Sequence, residues 1–294
     1  SPFNLKFGTL NIDCAKRNRS PNSLTQEIKD FLVNHAIDVL SITETDFGST
    51  TEANDFHITG YTTHLPKSHG GRVRVIIVAK NELDNYIRKR QDLMSSDIFP
   101  TVWIELNLPS SPRYILGAAY REWGNGDTKR IECQVNRVCE LERQFTEATK
   151  GVGSVWIGGD WNLDIGRSND PDWPLKSIAQ KLEEISLRNG LSLKRIGPTF
   201  AYHKDNDLRT SELDYFYTND RDVNEIPSSI LTCGFSDHDC ALVKLPIGNQ
   251  KKERLIQRYV VRRSHVKNER QFRKHMQDEI GACILSFTSS NMTC

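Results

Sequence analysis

Gly153-Ser154-Val155-Trp156-Ile157-Gly158-Gly159-Asp160-Trp161-Asn162 decides how this 294-residue chain is read. Its first half is a short apolar run, the pattern of a strand buried on both faces. Its second half turns polar, so Asp160 and Asn162 stand at the strand's carboxyl end. Taken alone, Gly-Gly-Asp-Trp-Asn also fits a turn with an Asx cap. Working outward, the same apolar-then-polar pattern recurs. Leu5, Phe7 and Thr9 alternate toward Asn11 in Leu-Asn-Ile-Asp. Residues 37–44 form an apolar run that ends on Glu44, and Tyr114 to Tyr120 end on Tyr120. Asp214 lies inside the run Glu212 to Thr218, and Asp237 and His238 precede Ala241 to Leu245. A single acid after a strand is ordinarily a solvated turn residue. Ordered recurrence is different, because strand ends on one rim bring distant residues into one pocket.

Helices separate these strands. Leu24, Ile28, Phe31, Leu32 and His35 share one helical face behind a cap at Asn22 or Ser23. Residues 129–149 predict an amphipathic helix with Ile131, Val135, Val138, Leu141 and Phe145 on one side. Residues 175–189 predict another, with Leu175, Ile178, Leu182, Ile185 and Leu187 as core. Arg72 to Lys80 and Thr101 to Leu108 add strands, and the polar run after Phe200-Ala201-Tyr202 predicts a protruding hairpin tip. Strands outnumber helices, which favours an α/β protein whose helices cover two stacked sheets. No internal repeat is visible.

Pro246, Gly248 and Asn249 break the last strand, so the domain boundary is placed near 247, giving a first domain of 1–247 and a segment of 248–294. Residues 251–294 carry ten Lys or Arg against four Asp or Glu, a net of +6. Residues 1–250 carry 29 basic and 34 acidic residues, a net of −5. A basic segment is a candidate phosphate contact, with a solvated linker as the alternative. The seven cysteines are odd in number and contain no Cys-x-x-Cys pair, which speaks against a disulfide framework or a structural zinc. No run approaches the roughly 18 apolar residues of a membrane span, and the N-terminus shows no secretory signal.

Read together, Leu-Asn-Ile-Asp-Cys (10–14), Ser-Ile-Thr-Glu-Thr-Asp (41–46), Ala-Ala-Tyr-Arg (118–121), Gly-Gly-Asp-Trp-Asn (158–162), Thr199-Phe200 with Ser-Glu-Leu-Asp-Tyr (211–215), and Ser-Asp-His-Asp (236–239) resemble the endonuclease/exonuclease/phosphatase superfamily. Within it the chain is most similar to the apurinic-endonuclease-like domain of non-LTR (LINE-type) retrotransposon polyproteins. The resemblance covers residues 4–245. It implies a four-layered α/β sandwich of two stacked β-sheets flanked by helices. It also implies a Mg²⁺-dependent endonuclease, with Mn²⁺ as a substitute, that nicks one strand of duplex DNA and leaves a 3′-hydroxyl for target-primed reverse transcription. The basic segment resembles a connector toward a reverse transcriptase domain of the same polyprotein. The isolated domain is expected to be a monomer, and a DNA target implies a nuclear location.

The residues carried over have these implied roles. Glu44 would coordinate Mg²⁺ directly, with Asp237, Asn11 and Asp13 near a metal position, since Mg²⁺ prefers oxygen ligands. Asp160 would orient and deprotonate the attacking water, with Asn11 fixing it. Asn162, read as continuing the extended stretch, would hold water or phosphate oxygen. His238 would donate to the scissile phosphate, oriented by Asp214. Tyr120 would sit near the phosphate as a hydroxyl donor. Thr199, Lys204, Asn206, Arg209 and Ser211, in and beside the hairpin, are expected DNA contacts. One departure stands out: apurinic endonucleases of the superfamily place a phosphate-contacting asparagine where this chain has Trp123. Arg121 is a candidate to compensate. Three other readings stay open: an abasic-site repair endonuclease, an inositol-phosphate-type phosphatase, and an inactive nucleic-acid-binding module.

Overall fold

The computed structural model describes residues 4–13, 21–67, 71–94, 99–123, 130–204 and 207–248. The basic segment expected to form a connector, and Asn206 at the hairpin tip, lie outside the described residues.

Alternation along β1 (Asn4–Asn11) sends Leu5 and Phe7 to one side of a sheet and Leu10 to the other. β1 runs parallel to β2 (Val39–Phe47), and α1 (Pro21–Asn34) makes the crossover. β4 (Val73–Lys80) pairs antiparallel with β2, and β3 (Tyr61–His64) with β4. On the other flank β14 (Cys240–Pro246) pairs with β1, and β13 (Ser228–Leu231) with β14. The six-stranded order is β13-β14-β1-β2-β4-β3.

The second sheet repeats this plan. β7 (Tyr114–Tyr120) and β8 (Ser154–Asp160) are its parallel pair, joined through α3 (Ile131–Thr149). β6 (Thr101–Leu106) and β5 (Ile87–Lys89) flank β7, while β12 (Asp214–Thr218) and β9 (Ser192–Lys194) flank β8, giving β5-β6-β7-β8-β12-β9. β10 (Phe200–Lys204) and β11 (Asp207–Ser211) form a separate exposed hairpin.

Two cores result. One joins the facing sheets to the second sheet's helices. Phe7 meets Phe216 edge-on at 5.4 Å, and Val138, Leu141 and Phe145 of α3 and Ile178, Leu182 and Ile185 of α4 (Lys176–Arg188) close it. The other packs Leu24, Ile28 and Leu32 of α1, and Ala53 of α2 (Thr50–Asp55), on the first sheet's outer face. The layers are helix, sheet, sheet and helix, the expected four-layered α/β sandwich. Two core expectations need correction. Leu187 is exposed, because it lies half a turn round α4 from Ile178. Ile131, in the first turn of α3, is exposed.

Candidate active site

The glycines at 158 and 159 decide how closely the second sheet's central strands approach. β8 passes through both and ends on Asp160, so the strand reading holds over the turn that Gly-Gly-Asp-Trp-Asn alone also allowed. A Cβ on Gly159 would lie 1.8 Å from the Ala119 carbonyl oxygen, and one on Gly158 2.4 Å from the Phe216 ring. Only glycine fits, and the resulting register sets Tyr120 beside Asp160 on one side and Asp214 beside it on the other. In the first sheet Asn11 closes β1 opposite Thr43, one residue before Glu44.

Asp160 is fully buried. Its Oδ2 accepts from Asn11 Nδ2 at 2.8 Å and its Oδ1 from the Asn162 N–H at 2.8 Å. The Asp13 N–H donates to Asn11 Oδ1 at 2.8 Å, which turns the Asn11 amide so that its NH₂ faces the carboxylate. Burial first, and then the neighbouring Asp214, push Asp160 up to about 7, against the pull of His238 and the Asn162 N–H.

Asn162 does not continue an extended stretch: its φ is +49°. The left-handed turn folds its side chain back, where Nδ2 donates to the Arg121 carbonyl at 2.9 Å and Oδ1 accepts from Trp123 Nε1 at 2.8 Å. Asp13 and Glu44 also have positive φ, +45° and +56°. Three non-glycine residues in this sparsely populated region line one pocket, which is where backbone strain tends to collect.

Asp214 Oδ2 accepts from Thr199 Oγ1 at 2.6 Å and lies 2.8 Å from His238 Nδ1. Its Oδ1 is buried without a hydrogen-bond partner. Burial opposes charge on His238, but the Asp214 carboxylate and its hydrogen bond, helped by Asp160 and Asp237, outweigh it and raise the imidazole to about 9. Ser236 ties the segment down, donating to the Asn11 carbonyl at 2.6 Å and accepting from the His238 N–H at 3.1 Å. Sequence reasoning missed Ser236; its only signal was its place before Asp237-His238.

Glu44 Oε1 accepts from the Tyr120 hydroxyl at 2.7 Å, and Arg74 Nη2 donates to that hydroxyl at 3.3 Å. The Tyr120 proton therefore points at Glu44. Burial, then Glu44, raise the Tyr120 pKa, so the phenol stays neutral. Burial raises the Asp237 pKa; His238 offsets this in part, and the negative charges of Asp13 and Glu44 add to it.

A cavity of about 570 Å³ opens here, with Asn11, Asp13, Glu44, Asn162, Asp237 and His238 in its walls and Asp160 buried beside it, hydrogen-bonded to Asn11 and Asn162. Among the described residues, one cluster of titratable side chains is close enough to share a cation. Asp160, Asp214 and His238 offer ligand atoms within 4.8 Å of one another. There, however, His238 and Asp214 are hydrogen-bonded to each other, so a cation bound by the imidazole would have to displace that proton. Glu44, Asp237, Asn11 and Asp13 line the cavity and carry oxygen donors, the ligand type that Mg²⁺ or Mn²⁺ prefers.

Two expected DNA contacts are corrected. Arg121 is 2% exposed. Its guanidinium donates to the Trp161 and Asn162 carbonyls, each at 2.6 Å, and to Gln134 Oε1 at 2.9 Å, because the turn after Asp160 gathers unpaired carbonyls there. It holds the Asp-Trp-Asn turn and does not face phosphate. Thr199 is also buried, its hydroxyl engaged by Asp214. Ser211 lines the cavity, and Lys204 and Arg209 stand exposed on the hairpin.

This two-sheet sandwich, with polar residues gathered at one end of its strands, is the fold of solved proteins described as endonuclease/exonuclease/phosphatase family. The particular likenesses are distant in sequence. The endonuclease domain of TRAS1, a telomere-specific non-LTR retrotransposon, superposes with a TM-score of 0.58 at 16% identity over 82% of this chain and 98% of that one. The AP endonuclease LMAP from Leishmania major gives 0.63 at 17% over 83% and 88%. An endonuclease/exonuclease/phosphatase family protein from Leptotrichia buccalis gives 0.54 at 13% over 83% and 100%. No family model and no curated protein matches the sequence.

Proposed function

We propose that the chain is a metal-dependent endonuclease that hydrolyses one phosphodiester bond of duplex DNA and leaves a 3′-hydroxyl. The observation that carries this reading is the Asp214–His238 pair at 2.8 Å beside the buried Asp160 carboxylate. A protonated imidazole on the cavity wall and a carboxylate of opposite duty buried beside it match in-line attack on a phosphate diester.

In this reading Asp160 takes the proton of the attacking water through a lone pair that Asn11 and the Asn162 N–H leave open. His238, charged and held by Asp214, donates to a phosphate oxygen through Nε2. Thr199 and Ser236 position the His238–Asp214 pair, and neutral Tyr120 positions Glu44. Glu44 and Asp237 would hold Mg²⁺ or Mn²⁺, with Asn11 and Asp13 at its margin. When bound, that ion supplies positive charge to the phosphate and to the departing oxygen. Lys204, Arg209 and Ser211, with Asn206, are proposed to meet the duplex.

The TRAS1 likeness, and the separate basic segment, support the finer reading of a non-LTR retrotransposon nuclease working in the nucleus, with residues 248–294 leading to a reverse transcriptase. No described helix is long and apolar enough to cross a membrane. The LMAP likeness supports a second reading, an abasic-site endonuclease. Supercoiled plasmid with and without abasic sites, incubated with Mg²⁺ or with chelator, separates the two. Mg²⁺-dependent nicking of intact plasmid supports the first. Cleavage confined to abasic plasmid supports the second, and no cleavage of either removes the nuclease assignment.

A further inference from the structure

Of the five tryptophans, four are at most 5% exposed, and Trp123 alone stands 55% exposed. Leaving an indole in water is unfavourable, and leaving it free to rotate would at least keep its rotamer entropy. Trp123 has neither compensation, because it is fixed. Its Nε1–H donates to Asn162 Oδ1 at 2.8 Å, and the Arg121 guanidinium sits 5.0 Å from the ring centroid on one face. Arg121 is itself immobilised by the Trp161 and Asn162 carbonyls and Gln134. The exposed indole lines the cavity that also holds His238 and Asn162.

We propose that Trp123 is a stacking platform for one nucleobase of the substrate, the base bordering the phosphate held at His238; this rests on the nuclease reading above. The indole's only polar group is satisfied within the protein, so the face is what it offers a ligand. A flat, rigid aromatic face next to a phosphate site suits a base, and stacking there is tolerant of base identity. A base inside a duplex has both faces covered by its neighbours. The one that meets Trp123 therefore leaves the stack, and the DNA is distorted at the nick.

The test is a cycle between protein and DNA. Binding is measured in the Asp160→Asn background with Mg²⁺, so that the DNA stays intact, on duplexes carrying the mapped nick site. Each base within two nucleotides of the scissile phosphate is removed in turn with a tetrahydrofuran abasic analogue. With Trp123 present, removing one particular base weakens binding about five- to hundredfold. With Trp123→Ala the same removal has no further effect, and Trp123→Phe, which keeps a stacking face without the N–H, retains most of the penalty. Additive effects overturn the platform, as do binding unchanged or tightened by base removal at every position, and a Phe variant as insensitive as Ala. Absence of DNA binding with Trp123 present overturns the nuclease reading and the platform with it.

Discussion

Asp160 is raised to about neutral pH and His238 above it, and the direction of each shift makes a prediction. Burial and Asp214 hold Asp160 up to about 7, and the reaction needs it ionised, so the rate falls as pH drops through that value. Burial disfavours the charged imidazole, but Asp214 raises His238 to about 9, and the reaction needs it protonated, so the rate falls again as pH climbs past it. kcat/KM for plasmid nicking should be bell-shaped, highest between about 7 and about 9. A profile flat across both limbs would remove the assigned roles. Asp160→Asn should lower kcat by about 10²–10⁴-fold with unchanged circular dichroism. His238→Ala should lose stability as well, by about 3–5 kcal/mol in urea titration, because Asp214 then stays buried without its partner. Asn11, Asp160, Asp214 and His238 were legible as candidates because each is a polar residue at, within or just before an apolar strand; which of them pair came only from the family resemblance. Arg121 and Thr199 were misread for the converse reason. A charged or hydroxyl residue near a strand end is usually solvated, and nothing in one dimension shows that the turn at Asn162 aims carbonyls inward.

The central elements hold these residues through close approach, and that is testable at β8. Gly159→Ala places a methyl within 1.8 Å of a backbone oxygen in the neighbouring strand, so β7 and β8 must separate. The cost should be about 3 kcal/mol or more, read as a lowered urea midpoint. An unchanged midpoint would show that the strands part freely. Such long apolar strands, and the helices α1, α3 and α4, were legible from periodicity. β5, β9 and β13 were not, because three or four residues are too few to display a period, and their burial comes from neighbours in the sheet. The hairpin β10–β11 was legible as a polar interruption. Its strands are exposed almost throughout, so few of its side chains pack against the fold. Lys204→Ala with Arg209→Ala should leave circular dichroism unchanged and redistribute the nick sites mapped on plasmid. An unaltered site pattern would show that the hairpin does not read the duplex.

At the scale of the molecule, one strand plan is used twice. In each sheet a parallel pair lies at the centre with two antiparallel strands on either side, and the helix crossover joins the pair. Asn11 and Tyr120 terminate the first strand of each pair, while Glu44 and Asp160 lie at the carboxyl end of the second. Ligands collect outside the carboxyl ends of parallel strands, and stacking two such sheets face to face brings both sets of strand ends to one rim. Sequence showed no repeat, since the plan resides in pairing order and not in residue identity. Net charge adds a constraint that no single site supplies. Residues 1–250 carry −5 and residues 251–294 carry +6, so the globular part by itself tends to repel a polyanion. Each Lys or Arg that neutralises a phosphate contributes about 0.9 to the slope of log affinity against log salt. If the basic segment grips the backbone, deleting residues 251–294 should flatten that slope by several units and weaken binding at low salt. kcat at saturating DNA should stay the same, because every residue assigned to the chemistry precedes residue 249. Anisotropy titrations at several salt concentrations decide it: equal slopes for the full and shortened chains would make the segment a linker with no hold on DNA.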